Sequence, residues 1–266
     1  MPIFVNRQMA SKKFKMKKIY LILLISLLAV VLGAGFYFNK RSPQKTAVLK
    51  TPPPSIILPS PVESIPISAS LSSPTPLPSA YMINNVPFQP QAPYGNWDEL
   101  HDEACEEAAV ILVKFWQAGQ STISAQTMDN EILKMVDWQI KNWGMHQDLT
   151  VQETAEMAQD FYGLKLVPKY GITIEDIKKE IAQNHLAIVP TAGRLLGNPY
   201  YRQPGPVYHM LVVIGYSGSN IIVQDIGTKR GEHYQYNQGV LFNAIHDWPG
   251  TAENIEGGKK AMLTVF

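Results

Sequence analysis

Apolar positions follow three rhythms along this chain. Ile19 to Phe38 is an unbroken run without a charge; between about residues 102 and 184 apolar residues recur at three- and four-residue spacings; beyond that they gather into short blocks. The spaced segments predict amphipathic helices and the blocks predict strands. A first helix follows Asp102 as N-cap, with Ala104, Ala108, Ile111, Leu112, Phe115 and Trp116 on its buried face and Gly119 closing it. A second spans 127–142, with Ile132, Met135, Val136 and Ile140 inward. A third spans 151–162, opened by a capping box of Thr150 and Glu153 and ended by Gly163, and 173–184 repeats that signature.

Strands are predicted at "LKLVP", "LAIVP", "HMLVVIGY", "IIVQD", "HYQYN" and "KAMLTVF", with a short helix in "GVLFNAIHDW". Before all of these, "YMINNVPFQPQAPYGNW" reads as a short strand and then an extended loop, since Pro87, Pro90 and Pro93 forbid a regular helix. Helices first and mostly antiparallel strands afterwards indicate an α+β domain.

Charge divides the chain further. The first fifty residues hold ten basic and no acidic side chains, whereas residues 81–266 hold 13 Lys and Arg against 21 Asp and Glu, a net −8. Residues 1–18 then read as a basic cytoplasmic tail and 19–38 as one transmembrane signal anchor, long enough to cross a hydrocarbon core of about 30 Å. The positive-inside rule keeps the N-terminus in the cytoplasm and sends the rest outside. A cleaved signal peptide, giving a secreted product, is the alternative, although such peptides have apolar regions of only about 7 to 15 residues.

Residues 39–80 read as a disordered stalk: Ser42 to Ala80 contains ten prolines, nine serines and three charged residues. Residues 81–266 make one domain. Its acidity argues against nucleic acid as partner, because phosphate recognition needs clustered Lys and Arg. No G-x-x-x-x-G-K-[ST] occurs, so no ATPase domain is expected in the chain. No cofactor and no metal site are expected either; His233, His246 and Asp247 could form one only by assuming the fold.

The chemistry centres on Cys105, the single cysteine. At a helix N-terminus its thiolate is favoured by unpaired N–H groups and the dipole, while Glu106 and Glu107 oppose that. His209 opens the most apolar strand, and Asp225 ends the next one. An odd-length loop between them sets Asp225 diagonal to His209 on the same face, and an even-length loop turns it away. Cys105, His209 and Asp225 would then be nucleophile, base and orienting group. A small buried thiol and a structural His–Asp pair remain the alternative. His101, His146, His185, His233 and His246 are expected on the surface or in loops, and the tryptophans in the core or a cleft wall.

"VPFQPQAP", "EACEEAA", "HMLVVIGY" and "VQDIG" resemble the bacteriocin-leader-processing type of papain-like cysteine peptidase, family C39, in its stand-alone form, over most of residues 81–266. The resemblance implies a papain-like fold, an acyl-enzyme mechanism on peptide or other amide bonds, and an oxyanion-stabilising glutamine. The VPF-x-x-Q spacing puts that role on Gln91, with Gln89 as the fallback. Glu106 stands where the family commonly has glycine, which leaves the substrate open. A membrane-anchored, outward-facing thiol hydrolase is therefore expected. A catalytically silent binding module or an acyl transferase of transglutaminase or transpeptidase type are the other readings.

Overall fold

The computed structural model describes residues 76–266. The expected cytoplasmic tail and membrane anchor, and the expected stalk up to residue 75, lie outside the described residues. Among the described residues no helix is long and apolar enough to cross a membrane.

The C-terminal blocks assemble into one seven-stranded antiparallel sheet. The strands are β1 (Ala80–Met82), β2 (Leu166–Tyr170), β3 (Leu186–Ala192), β4 (Tyr208–Ser217), β5 (Asn220–Gln224), β6 (Tyr234–Asn237) and β7 (Ala261–Val265). Their order is β2-β7-β3-β4-β5-β6, with β1 pairing the far end of β4. β3 is buried throughout and β4 at all but its last residue, which is why both are continuous apolar runs rather than alternating ones.

Six helices accompany the sheet: α1 (Glu99–Asp102), α2 (Cys105–Gln117), α3 (Ala125–Trp143), α4 (Val151–Tyr162), α5 (Ile174–Ala182) and α6 (Gln238–Ala244). α2 packs on β4, α4 on β2 and β7, and α5 on β3 and β4. The observed architecture is the expected α+β arrangement of helices and an antiparallel sheet.

Two local expectations need correction. The first helix is not capped by Asp102. Asp98 caps the short α1 by accepting from the His101 N–H, and the chain breaks at Glu103 and Ala104 before α2 starts at Cys105 without a side-chain cap. The buried stripe of α3 runs Met128, Ile132, Met135, Val136, Gln139, and Ile140 is 53% exposed. A glutamine takes the last inward position because a buried carboxylate awaits it there, described below.

Candidate active site

Cys105 is the first residue of α2, and every residue from Cys105 to Val113 is buried. That burial clamps the helix onto β4 and fixes its N-terminal end beside the start of the strand. The Met210 backbone N–H of β4 reaches the sulfur and favours its thiolate. Burial and the neighbouring Glu106 carboxyl outweigh that contact, so the thiol is held well above its ordinary value. The Cys105 thiol donates to Glu106 Oε2 at 3.0 Å. No hydrogen bond joins Cys105 to His209 among the described residues.

The hairpin of β4 and β5 turns on two residues, with Ser217 paired to Asn220. By loop length alone Asp225 would face away from His209. A bulge between Val213 and Gly215 shifts the register by one, to Val213 with Val223 and Val212 with Gln224. Continued by one residue, that register puts Asp225 across from Leu211, on the face His209 shares. His209 Nε2 donates to Asp225 Oδ1 at 3.0 Å, and both side chains are buried. With Nε2 carrying the proton for this bond, Nδ1 is left as an acceptor.

Asp225 is held by four further donors: the Gly227 N–H at 3.1 Å on Oδ1, and Asn198 Nδ2 at 2.9 Å, the Tyr201 hydroxyl at 2.8 Å and the Tyr236 hydroxyl at 2.6 Å on Oδ2. Burial would raise this carboxyl, but the His209 bond and charge and the tyrosine hydroxyls hold it below its ordinary value. Tyr201 also meets the His209 ring edge-on at 5.5 Å. Gly227 closes over the pair, and a Cβ there would lie 3.0 Å from His209 Nε2 and 2.9 Å from Tyr201.

Gln91 is buried, and its N–H bonds to Ile226 O, which pins the proline-rich loop beside Asp225. Its amide nitrogen donates to the carbonyls of His101, at 2.8 Å, and Asp102, at 3.2 Å. Gln89 donates instead to Ile123 O, at 3.0 Å. Gln91, Trp97, Asp102, Glu103, Asp148 and His209 are among the residues around a cleft of about 450 Å³.

Behind the thiol lies a buried acid cluster. Glu106 Oε1 accepts the Leu149 N–H at 2.7 Å; Glu107 accepts from Gln139 and lies 3.4 Å from His146 Nε2. Burial, with Glu107 adding its charge, raises Glu106 well above the carboxylate range. Burial, then the charges of Glu103 and Glu107, pushes Asp148 up to about 7. Burial disfavours the His146 cation, yet Glu107 leaves it above the ordinary histidine value.

His101 is buried rather than on the surface, because its ring bridges Asp98 at 2.7 Å and Asp129 at 3.0 Å. His146 is half-buried at the acid cluster. His185 lies 3.1 Å from Glu180 and His233 is exposed. His246 meets Gly258 O while Asp247 accepts the Val151 N–H, and no group of three His, Cys, Asp or Glu side chains among the described residues could hold a metal.

The Peptidase_C39 like family model matches residues 83–252. Among solved structures, a protein assigned as a C39-like peptidase from Bacillus anthracis aligns at 15% identity, covering 70% of this chain and 98% of its own, with a TM-score of 0.46. No curated protein matches the chain.

Proposed function

Since the chain belongs to the Peptidase_C39 like family, a family of cysteine-type peptidases, we propose that it cleaves peptide bonds with Cys105 as nucleophile, His209 as base and acid, and Asp225 as the residue that orients His209. The observation that carries this reading is the buried His209–Asp225 pair with its caging donors, His209 lying on the strand whose next residue, Met210, brings its N–H to the only thiol.

In this mechanism the thiol leaves Glu106 and gives its proton to His209 Nδ1. The sulfur attacks the scissile carbonyl, and His209 returns the proton to the departing amine. Water then hydrolyses the acyl-enzyme with His209 as base. The N–H groups of the first turn of α2 lack partners within the helix and suit the developing oxyanion. Gln91 joins them if one of its amide N–H groups exchanges a backbone carbonyl for the substrate oxygen.

We further propose, from the charge and hydropathy pattern, that residues 19–38 hold the domain outside the membrane on a stalk. One observation favours a second reading, a silent binding module: the resting thiol is buried and bonded to Glu106, and both hold it well above its ordinary value. Incubating the full-length chain with peptide pools and reading new termini by mass spectrometry separates the two. The peptidase reading expects cleavage that disappears in Cys105→Ala; cleavage surviving that substitution overturns it.

A further inference from the structure

The cleft does not end at His209. A second cavity of about 430 Å³ shares Trp97, Tyr201, Arg202 and Gly227 with it and adds Lys229 and Arg230. Gly227 lies against the His209 ring, so this cavity begins at the edge of the proposed catalytic pair.

Its charge runs against the rest of the domain, which is net −8 over residues 81–266. Three lysines elsewhere in the domain meet acids: Lys134 with Glu131, Lys169 with Glu180, Lys179 with Asp176. Here the cations have little to answer them. The Arg230 guanidinium stacks over the Tyr200 ring at 4.7 Å, and the Lys229 side chain lies over Gly95, where a Cβ would sit 3.3 Å from its ammonium. Neither forms an ion pair among the described residues. Arg202 is 76% exposed and only reaches 4.0 Å from Asp102.

Three like charges around one cavity repel one another, and in a domain with a surplus of carboxylates nearby acids could have neutralised them. They are instead left free to meet an anion from outside. Guanidinium groups suit a planar carboxylate in particular, which they can bind through paired N–H groups. The first cleft suits the same group less well, since Asp102, Glu103 and Asp148 line it against the single Arg202 that it shares.

We propose that the cavity of Arg202, Lys229 and Arg230 is a substrate subsite for a carboxylate, belonging to an acidic side chain or to the C-terminus of the peptide. This deepens the peptidase reading, since it places the anionic group beside His209 and thus close to the scissile bond. Trp97 and Tyr200 supply faces for the aliphatic part of the bound residue.

The test uses peptide pools with one position fixed as Glu or Gln, each made with a free or an amidated C-terminus. Cleavage by the full-length chain is read by mass spectrometry. Binding of the same pools, labelled with fluorescein, to the full-length Cys105→Ala chain is read by anisotropy at low and high salt. The carboxylate is expected to favour binding by about tenfold, the worth of one charge-assisted hydrogen bond, and more at low salt. The Lys229→Gln, Arg230→Gln double variant is expected to lose that preference, and the exposed control Lys141→Gln to keep it. A preference for Glu assigns the side chain as source; a preference for the free terminus assigns the terminus. Equal binding of all pools, or a preference that persists in the double variant, overturns the subsite. Carboxylate-selective binding without cleavage by the wild type upholds the subsite and overturns the peptidase reading; cleavage without selectivity does the reverse.

Discussion

At the residue scale, the competition at Cys105 sets the chemistry. The first turn of α2 and the Met210 N–H favour the thiolate, whereas burial and Glu106 favour the thiol, and the second pair prevails in the resting geometry. Glu106→Gln keeps an oxygen for the Leu149 N–H and prevents a charge from forming beside the sulfur at the high pH where Glu106 ionises. Alkylation of the thiol by iodoacetamide at pH 9 should then be about tenfold faster than in the wild type, since a carboxylate in contact with the sulfur opposes the thiolate. An unchanged rate would mean that Glu106 is already uncharged beside the thiol. Cys105 was legible in the sequence as a lone thiol at a helix start. Its direct bond to Glu106 was not, because adjacent helical residues usually diverge, and a side-chain rotamer decides whether they meet.

At the scale of elements, the β4–β5 hairpin shows what residue patterns omit. His209 and Asp225 stand out from their apolar strands, but their meeting depends on a bulge that reverses the consequence of a two-residue turn. No residue type in "VVIGY" announces that bulge, although a glycine within a strand is a weak hint. Asn198, Tyr201 and Tyr236, which cage Asp225, come from a loop and the neighbouring strand and carry no signature of their own. Gln139 was missed because an apolar Ile140 sits next to it, and only the partner carboxylate of Glu107 explains why the polar residue is the one turned inward. The close fit at Gly227 gives a prediction. Gly227→Ala places a methyl against His209 and Tyr201, so kcat/KM should fall by about a hundredfold, as expected for a displacement near 1 Å at the proposed base. The measurement is the rate on any peptide the wild type cleaves, and equal rates would show that His209 tolerates the shift.

At the scale of the whole molecule, buried acid imposes a pH dependence on stability. Asp148 is pushed from 3.8 up to about 7 in the folded chain. The folded state therefore binds its proton more tightly than the unfolded state, and stability falls as pH rises between about 4 and 7. Below that window the penalty is absent, and above it the penalty is complete. Asp148→Asn should leave stability at pH 4 nearly unchanged and raise it at pH 8 by about 2 kcal/mol, roughly half of the bare three-unit difference because the group is partly open to the cleft. Urea unfolding at the two pH values measures this, and equal gains at both would contradict the assignment. The α+β class and the order of helices and strands were readable from the change in apolar rhythm, as was the neighbourhood of the cleft. The acid cluster was not, since Glu106, Glu107, His146 and Asp148 look like solvated residues until packing of α2 and α3 buries part of the set.

The measurement that bears most directly on the central claim is the rate of Cys105 alkylation by iodoacetamide across pH in the full-length chain, wild type against His209→Ala. If His209 accepts the thiol proton, the wild type is alkylated faster than the variant at neutral pH even though burial and Glu106 hold its thiol above the ordinary range, and the variant loses that excess. Superimposable profiles with an ordinary or higher midpoint in both proteins would show that the thiol and the His209–Asp225 pair do not act together.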